Sequence, residues 1–434
     1  MGEKKFNQEK TRREFIKNAG AAAIFSAGSF NLPIGFAKPL SSKAQTQLKV
    51  GLVGCGGRGT GAAAQALQAD SNVVLWAMAD VFEDRLTSSL KLLKETHDQR
   101  VQVAKSRQFV GFDAYQDLIE SGVDVVLLAS PPGFRPKHLS AAIDANKHVF
   151  YEKPVAVDAP GVRKVLEAAK KAKEKNLSMV SGFCFRYDLQ KKALYQKVLD
   201  GAIGDIRSIA STRNGGELWF KDRKPEWTDT EYQVRNWYYQ NWLSGDFIVE
   251  MFVHSLDMMA WALGEKMPAS ATATGGRQWR TDKKYGNIFD HFAIEFNYDN
   301  GVKGYCFTRQ QEGGSTKNAV EINGSLGNAY YEGTRHEITG KNPWKYDGEV
   351  NDMYQSEHDA LFKSIREEAG INDGELSANS SLMGIMGRMA AYTGQTITWN
   401  DALNSTEVLG PESYDWDIKF EGPEIAIPGK TKFK

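Results

Sequence analysis

The tightest constraint on this chain is a glycine pattern set between two hydrophobic runs. Val50, Leu52 and Val53 lead into Gly54-x-Gly56-x-x-Gly59, and Ala62, Ala63, Ala64, Ala66 and Leu67 follow at helical spacing. Strand, tight turn and helix in that order aim the unpaired N–H groups of a helix N-terminus at an anion. Gly54 permits the turn, Gly56 admits a pyrophosphate close to the backbone, and Gly59 lets the helix pack on the strand. Gly57 and Arg58 lie in the same loop. A second apolar run, residues 73–79, ends in Asp80. A carboxylate there, about 20 residues on, accepts hydrogen bonds from ribose hydroxyls. The pattern therefore predicts a dinucleotide site. Asp80 would repel a ribose phosphate, and Val81 and Phe82 bring no cation, so NAD is expected over NADP. Arg85 stands near enough to join this site, or equally to lie on the surface of the next helix.

Strand and helix patterns continue to alternate. Residues 123–129 read as a buried strand ending at Ser130, Pro131 and Pro132, with a helix beginning at His138. Residues 147–151 form another strand, ending in Glu152-Lys153-Pro154. Asp158 caps a helix whose one face carries Val162, Val165, Leu166 and Ala169, and residues 177–182 form a last parallel strand. Ligands in such sheets bind beyond the carboxyl ends of the strands. Gly54 to Gly59, Asp80, Ser130 to Pro132, Glu152 and Lys153 thus share one rim.

Beyond residue 183 the pattern changes to antiparallel. Residues 206–212 alternate like a strand, and residues 292–298 and 302–307 flank the hairpin signal Asp299-Asn300-Gly301. Residues 320–322 and 329–331 pair around a second turn, and residues 354–396 return to helical spacing. The expected fold is α/β: an N-terminal Rossmann domain over residues 48–183, then an α+β domain with a large open, mainly antiparallel sheet over residues 184–416. Residues 417–434 read as an extended tail. Residues 247–263 read as one helix, in which Glu250 and His254 are four apart and share a face.

Composition mostly excludes. The 434 residues carry 54 basic and 54 acidic side chains, which gives no reason to expect nucleic acid or an acidic membrane surface as partner. Cys55, Cys184 and Cys306 have no metal spacing, and no metal is expected. At the start of the chain a basic stretch leads into a short, weakly apolar run (18–28) and a small-residue site at 35–37. This predicts an export signal over residues 1–37, too short to span a membrane. Thr11-Arg12-Arg13-Glu14-Phe15-Ile16-Lys17 resembles a twin-arginine signal, whose cargo is exported folded. A periplasmic protein beginning near Lys38, loaded with cofactor before export, is the expectation.

The chain resembles the Gfo/Idh/MocA oxidoreductases, which include glucose–fructose oxidoreductase and inositol dehydrogenase. The resemblance rests on the glycine fingerprint, Ala129 to Pro132 with His138, and His148 to Pro154. Further on it rests on Gly182 to Tyr187 and His254 to Asp257. It implies that Lys153 lies near the nicotinamide and the reacting hydroxyl, where a lysine polarises oxygen and shares its proton. It also implies that the open sheet carries substrate and the contacts of a homodimer or homotetramer. An aspartate and a histidine accompany the lysine in inositol dehydrogenases. His254 matches that histidine, and Glu250 stands where the aspartate is expected. His254 is accordingly expected as acid/base, Glu250 as its orienting or proton-accepting partner, and Asp257 as a helix anchor. Arg186 is a candidate for cofactor or substrate, and Arg235, Trp237, Tyr238 and His291 are candidates for substrate. The function implied is NAD-dependent oxidation or reduction of a sugar, polyol or glycoside. An NAD-dependent glycosidase and a non-catalytic sensor are the alternatives. Glycosidases of this fold commonly carry Glu-Val-Pro where this chain has Glu152-Lys153-Pro154, which favours net redox.

Overall fold

The computed structural model describes residues 46–434. The predicted signal, with Arg12 and Arg13, lies outside the described residues.

The first sheet is wholly parallel. It contains β1 (Leu48–Val53), β2 (Val73–Asp80), β3 (Gln108–Val110), β4 (Val125–Leu128), β5 (His148–Tyr151) and β6 (Met179–Ser181), ordered β3-β2-β1-β4-β5-β6. Helices α1 (Gly57–Ala69), α2 (Glu83–His97), α3 (Ala114–Glu120), α4 (Arg135–Asp144) and α5 (Ala159–Glu174) connect the strands. Covering both faces requires strands apolar on both sides, which is why β4 reads Val-Val-Leu-Leu and is buried throughout. The strand order reverses between β1 and β4, so the ligand crevice opens at their carboxyl ends. Asp158 caps α5 by accepting from Gly161 N at 2.9 Å. Helix α4 starts earlier than expected. Pro136 occupies its first turn, where no donor is needed and φ is pre-set, so His138 lies inside the helix rather than at its start.

The chain then builds α6 (Leu189–Leu199) and a nine-stranded sheet. The strands are β7 (Ile206–Gly215), β8 (Ser270–Gly276), β9 (His291–Asn297), β10 (Lys303–Gln310), β11 (Lys317–Gly324), β12 (Gly327–Glu332), β13 (Arg335–Gly340), β14 (Trp344–Lys345) and β15 (Ile397–Thr398). All neighbours pair antiparallel except β7 and β10. Strand β9 buries alternate residues, Phe292, Ile294 and Phe296, as a one-faced sheet requires. Helix α7 (Val253–Ala262) covers that face so closely that a Cβ on Gly304 of β10 would stand 2.4 Å from Met259 Sδ.

Two late helices return to the first sheet. In α8 (Met353–Glu367), Leu361, Phe362 and Ile365 enter one core with Leu52, Leu67 and Leu75, and Arg366 pairs with Asp70 at 2.6 Å. Helix α9 (Gly374–Thr393) packs between α5 and β8. Residues 405–434 form neither helix nor strand. They are nonetheless bonded at several points, among them Leu409 N to Asp158 Oδ2 at 3.2 Å and Gln233 Nε2 to the Phe420 carbonyl at 2.7 Å. Among the described residues no helix is long and apolar enough to cross a membrane.

Candidate active site

The fingerprint loop is shaped by contact on two of its glycines and left open on the third. Gly54 has φ +94°, and a Cβ there would lie 2.5 Å from Ser130 N. A Cβ on Gly59 would lie 1.8 Å from the Gly54 carbonyl oxygen. At Gly56 the nearest neighbour is Arg85 Nη1 at 3.3 Å. The N-terminus of α1 starts at Gly57 with no side-chain cap and no acidic residue in its first turn. Asp80 ties this loop to β2: one carboxylate oxygen accepts from Cys55 N at 2.6 Å, the other from Phe82 N at 2.9 Å. Burial raises its pKa, opposed by those N–H donors and by Arg85. Of the two placements open to Arg85, the structure takes the one facing the loop, and its buried Nε has no partner among the described residues. An open glycine face, an uncapped helix end, a spare guanidinium and a carboxylate at the end of β2 fit a dinucleotide.

Ser130, Pro131 and Pro132 form the opposite lip of the crevice. Ser130 Oγ lies 3.2 Å from His138 Nδ1. The His138 ring stacks on Tyr115 at 4.1 Å, and its pKa is lowered to about 3 by burial first, then by Arg135 and Lys137. It is a neutral support for Ser130. Arg135, fully buried, donates to the carbonyls of Ser130 and Pro154 and so stitches the ends of β4 and β5 together. Arg58, expected at the cofactor, is held by two carboxylates. Its guanidinium pairs with Glu152, and with Glu357 of α8 at 2.7 Å, and lies 5.0 Å from the Tyr354 ring centre. Burial, followed by the opposing pull of Arg58 and the push of Glu152, leaves the Glu357 pKa well above the carboxylate range.

Lys153, Glu250 and His254 gather where β5 meets the second domain. The expected single helix over residues 247–263 is in fact two, Phe247–Glu250 and Val253–Ala262. The break frees carbonyls that cations then satisfy: Lys153 Nζ donates to Glu250 O at 2.6 Å, and Arg213 Nη1 to Met251 O at 2.9 Å. Lys153 Nζ also lies 2.9 Å from Glu250 Oε1. Glu250 is therefore the partner of Lys153, not of His254 as expected. His254 is buried, with Phe185 at 4.7 Å and Phe183 at 5.9 Å, and its Nδ1 has no partner among the described residues. Burial, then the charges of Lys153, Arg213 and Lys191, hold its pKa well below that of free imidazole. At neutral pH it is an uncharged base beside a lysine–carboxylate pair.

The segment that carries Glu250 is anchored by Asp246. This buried residue has φ +72° and accepts from Phe247 N at 2.5 Å, Phe289 N at 2.8 Å and Tyr392 Oη at 2.6 Å. Tyr238 is buried, donates to Gln310 Oε1 at 3.1 Å, and has its pKa raised by burial first and Glu250 second. Trp237, half-buried, lies 5.9 Å from the Tyr238 ring and 6.1 Å from that of Trp219. His291 is partly open and holds Asp290 Oδ1 at 2.7 Å.

Two expected ligand contacts are engaged elsewhere. Arg186 Nε and Nη2 are bonded to Asp257 at 2.8 and 2.9 Å, and Nη1 pairs with Glu265. This buried pair fixes α7, which makes Asp257 the anchor it was expected to be. Arg235 pairs with Glu231 at 2.8 Å and Asp84 at 3.2 Å and lies over Phe82, at the adenosine end of the crevice. Sequence reasoning missed Arg135, Arg213, Asp246 and Glu357. Asp246 alone left a trace, as a polar residue just ahead of an apolar run.

The profile of an oxidoreductase family with an NAD-binding Rossmann fold, GFO/IDH/MocA, matches residues 48–180, and that of the GFO/IDH/MocA C-terminal domain matches residues 192–330. A myo-inositol 2-dehydrogenase of Thermotoga maritima is 25% identical over 66% of this chain and 76% of its own length. A 2,7-anhydro-N-acetylneuraminate hydratase of Escherichia coli is 24% identical over 46% of this chain and about half of its own length, 49%. A crystal structure of an oxidoreductase from Agrobacterium radiobacter in complex with NAD+, L-tartaric acid and magnesium shares the fold. It has a TM-score of 0.62 and 18% identity, over 82% of this chain and 99% of that one.

Proposed function

Since the chain belongs to the GFO/IDH/MocA oxidoreductase family, with an NAD-binding Rossmann domain, we propose that it is an exported dehydrogenase of sugars, polyols or glycosides, acting on a secondary hydroxyl or the matching ketone. The observation that carries the reading is the group formed by Lys153, Glu250 and the uncharged His254 at the carboxyl end of β5. NAD, when bound along Gly54 to Gly59, Asp80 and Ser130 to Pro132, supplies the hydride acceptor. The chain does the rest. Lys153 Nζ holds the reacting oxygen and stabilises its developing negative charge. His254, neutral and shielded by Phe183 and Phe185, takes the hydroxyl proton. Glu250 aims Lys153 through its carboxylate and its backbone carbonyl. Trp237 and His291, both partly open, offer an aromatic and polar surface of the kind a sugar ring packs on, with the buried Tyr238 behind Trp237.

A second reading is transient oxidation followed by elimination and hydration, and the hydratase among the relatives favours it. Incubation with inositols, aldoses and aryl glycosides separates the two. NADH with a keto product supports the dehydrogenase, and free aglycone without net NADH replaces it with the glycosidase. The export part has its own check. Cell fractionation is expected to find a mature protein beginning near Lys38 outside the cytoplasm, and full-length protein confined to the cytoplasm overturns it.

A further inference from the structure

Aromatic side chains crowd the adenosine end of the crevice, and not all of them come from the Rossmann domain. Phe82 follows β2, Phe112 follows β3, and Phe134 ends the turn after β4. Against them lie Tyr414 and Trp416 from the last segment of the chain. The Trp416 ring centre is 4.4 Å from that of Phe112 and 5.3 Å from that of Phe82. That of Tyr414 is 4.9 Å from Phe134 and 5.9 Å from Phe112. The segment is fastened on both sides of these rings. Leu409 N donates to Asp158 at the head of α5, and the Ile418 carbonyl accepts from Thr230 Oγ1 at 3.2 Å. Trp416 is only half-buried, so part of its indole stays open.

We propose that Trp416 forms one wall of the slot that receives the adenine ring of the dinucleotide, and that residues 409–420 strap the ring in place. The inference rests on the NAD reading above. A ribose held at Asp80 directs its base past Phe82, toward the ends of β3 and β4, where Phe112 and Trp416 stand. A base needs flat apolar sides, and stacking on an aromatic ring provides them without demanding a sequence of donors. Arg235, 3.9 Å from the Phe82 ring centre and held by Asp84, braces Phe82. Because the strap is tied to Asp158 in one domain and Thr230 in the other, the base leaves only when those ties loosen. Slow cofactor release follows.

The test uses the full chain with Trp416→Ala, and titrates NAD, AMP and nicotinamide mononucleotide by calorimetry. Trp416→Ala is expected to weaken NAD and AMP roughly ten- to hundredfold, to speed NAD release, and to leave nicotinamide mononucleotide unchanged. Trp416→Phe is expected to restore most of the AMP affinity. Should the alanine variant not fold, Trp416→Leu retains apolar bulk without a π-face and must show the same AMP-selective loss. Unchanged AMP affinity, or equal loss of AMP and nicotinamide mononucleotide, overturns the proposal. Failure of the wild type to bind NAD at all overturns the cofactor reading beneath it.

Discussion

At the scale of single residues, the site works by putting an uncharged base beside a charged lysine. The charge of Lys153 and the burial of His254 act in the same direction, both disfavouring imidazolium. The consequence has a sign. A lowered pKa means that His254 remains able to accept a proton as the pH falls through 6.5, so the acid limb of kcat/KM is expected below that value. An acid limb centred at 6.5 that vanishes in His254→Gln would contradict this. Lys153→Ala and His254→Ala are each expected to retain NAD and lose about 10²–10⁴-fold in single-turnover NAD reduction at 340 nm. Glu250→Gln, which removes the partner of Lys153 but not the reacting groups, is expected to lose less. Wild-type turnover in His254→Ala would make that histidine structural. Lys153 and His254 were legible in the sequence because each stands beside a recognisable pattern. The pairing of Glu250 with Lys153 was not, because it depends on a helix break after Glu250 that leaves no mark in a run as apolar as residues 247–263.

At the scale of elements, the parallel strands and the β9–β10 hairpin were legible for physical reasons. Strands covered on both faces must be continuously apolar, and Asn300-Gly301 turns a hairpin with little strain. The glycine loop allows a sharp contrast. Gly56→Val meets only the tip of Arg85, so it is expected to fold and to lose NAD. Gly59→Ala drives a Cβ into a backbone carbonyl, so it is expected to lose stability itself, measured by urea unfolding. If both variants melt like wild type, the loop is looser than the geometry states. The Phe247–Glu250 segment depends on Asp246, whose pKa burial raises from 3.8 to about 6. A carboxyl group raised in this way favours the native state when protonated. Its stabilising effect is complete below pH 3.8 and is lost as the pH climbs through about 6, by roughly 3 kcal/mol. Asp246→Asn is expected to flatten the stability profile by that order between pH 4 and 6, and an unaltered slope would contradict the assignment.

At the scale of the whole molecule, one face of the nine-stranded sheet is covered by α7 and α9, while Phe307, on β10, remains 48% exposed. A homodimer or homotetramer formed across that sheet is expected, and light scattering that finds a monomer at micromolar concentration would refute it. What the sequence hid at this scale is long-range closure. The helical spacing of α8 was plain, but nothing local says that it completes a sheet begun some three hundred residues earlier. That return also sets an order of events during synthesis. The ribosome delivers β6 long before Leu361, Phe362 and Ile365, and at about 5–20 residues per second the gap lasts roughly 10–35 s. Through that interval the nascent first sheet lacks the helix that seals its apolar side. The nucleotide-binding half is thus the first part made and among the last parts finished, and cutting the gene between the two halves would yield a fragment with an open wound rather than a domain.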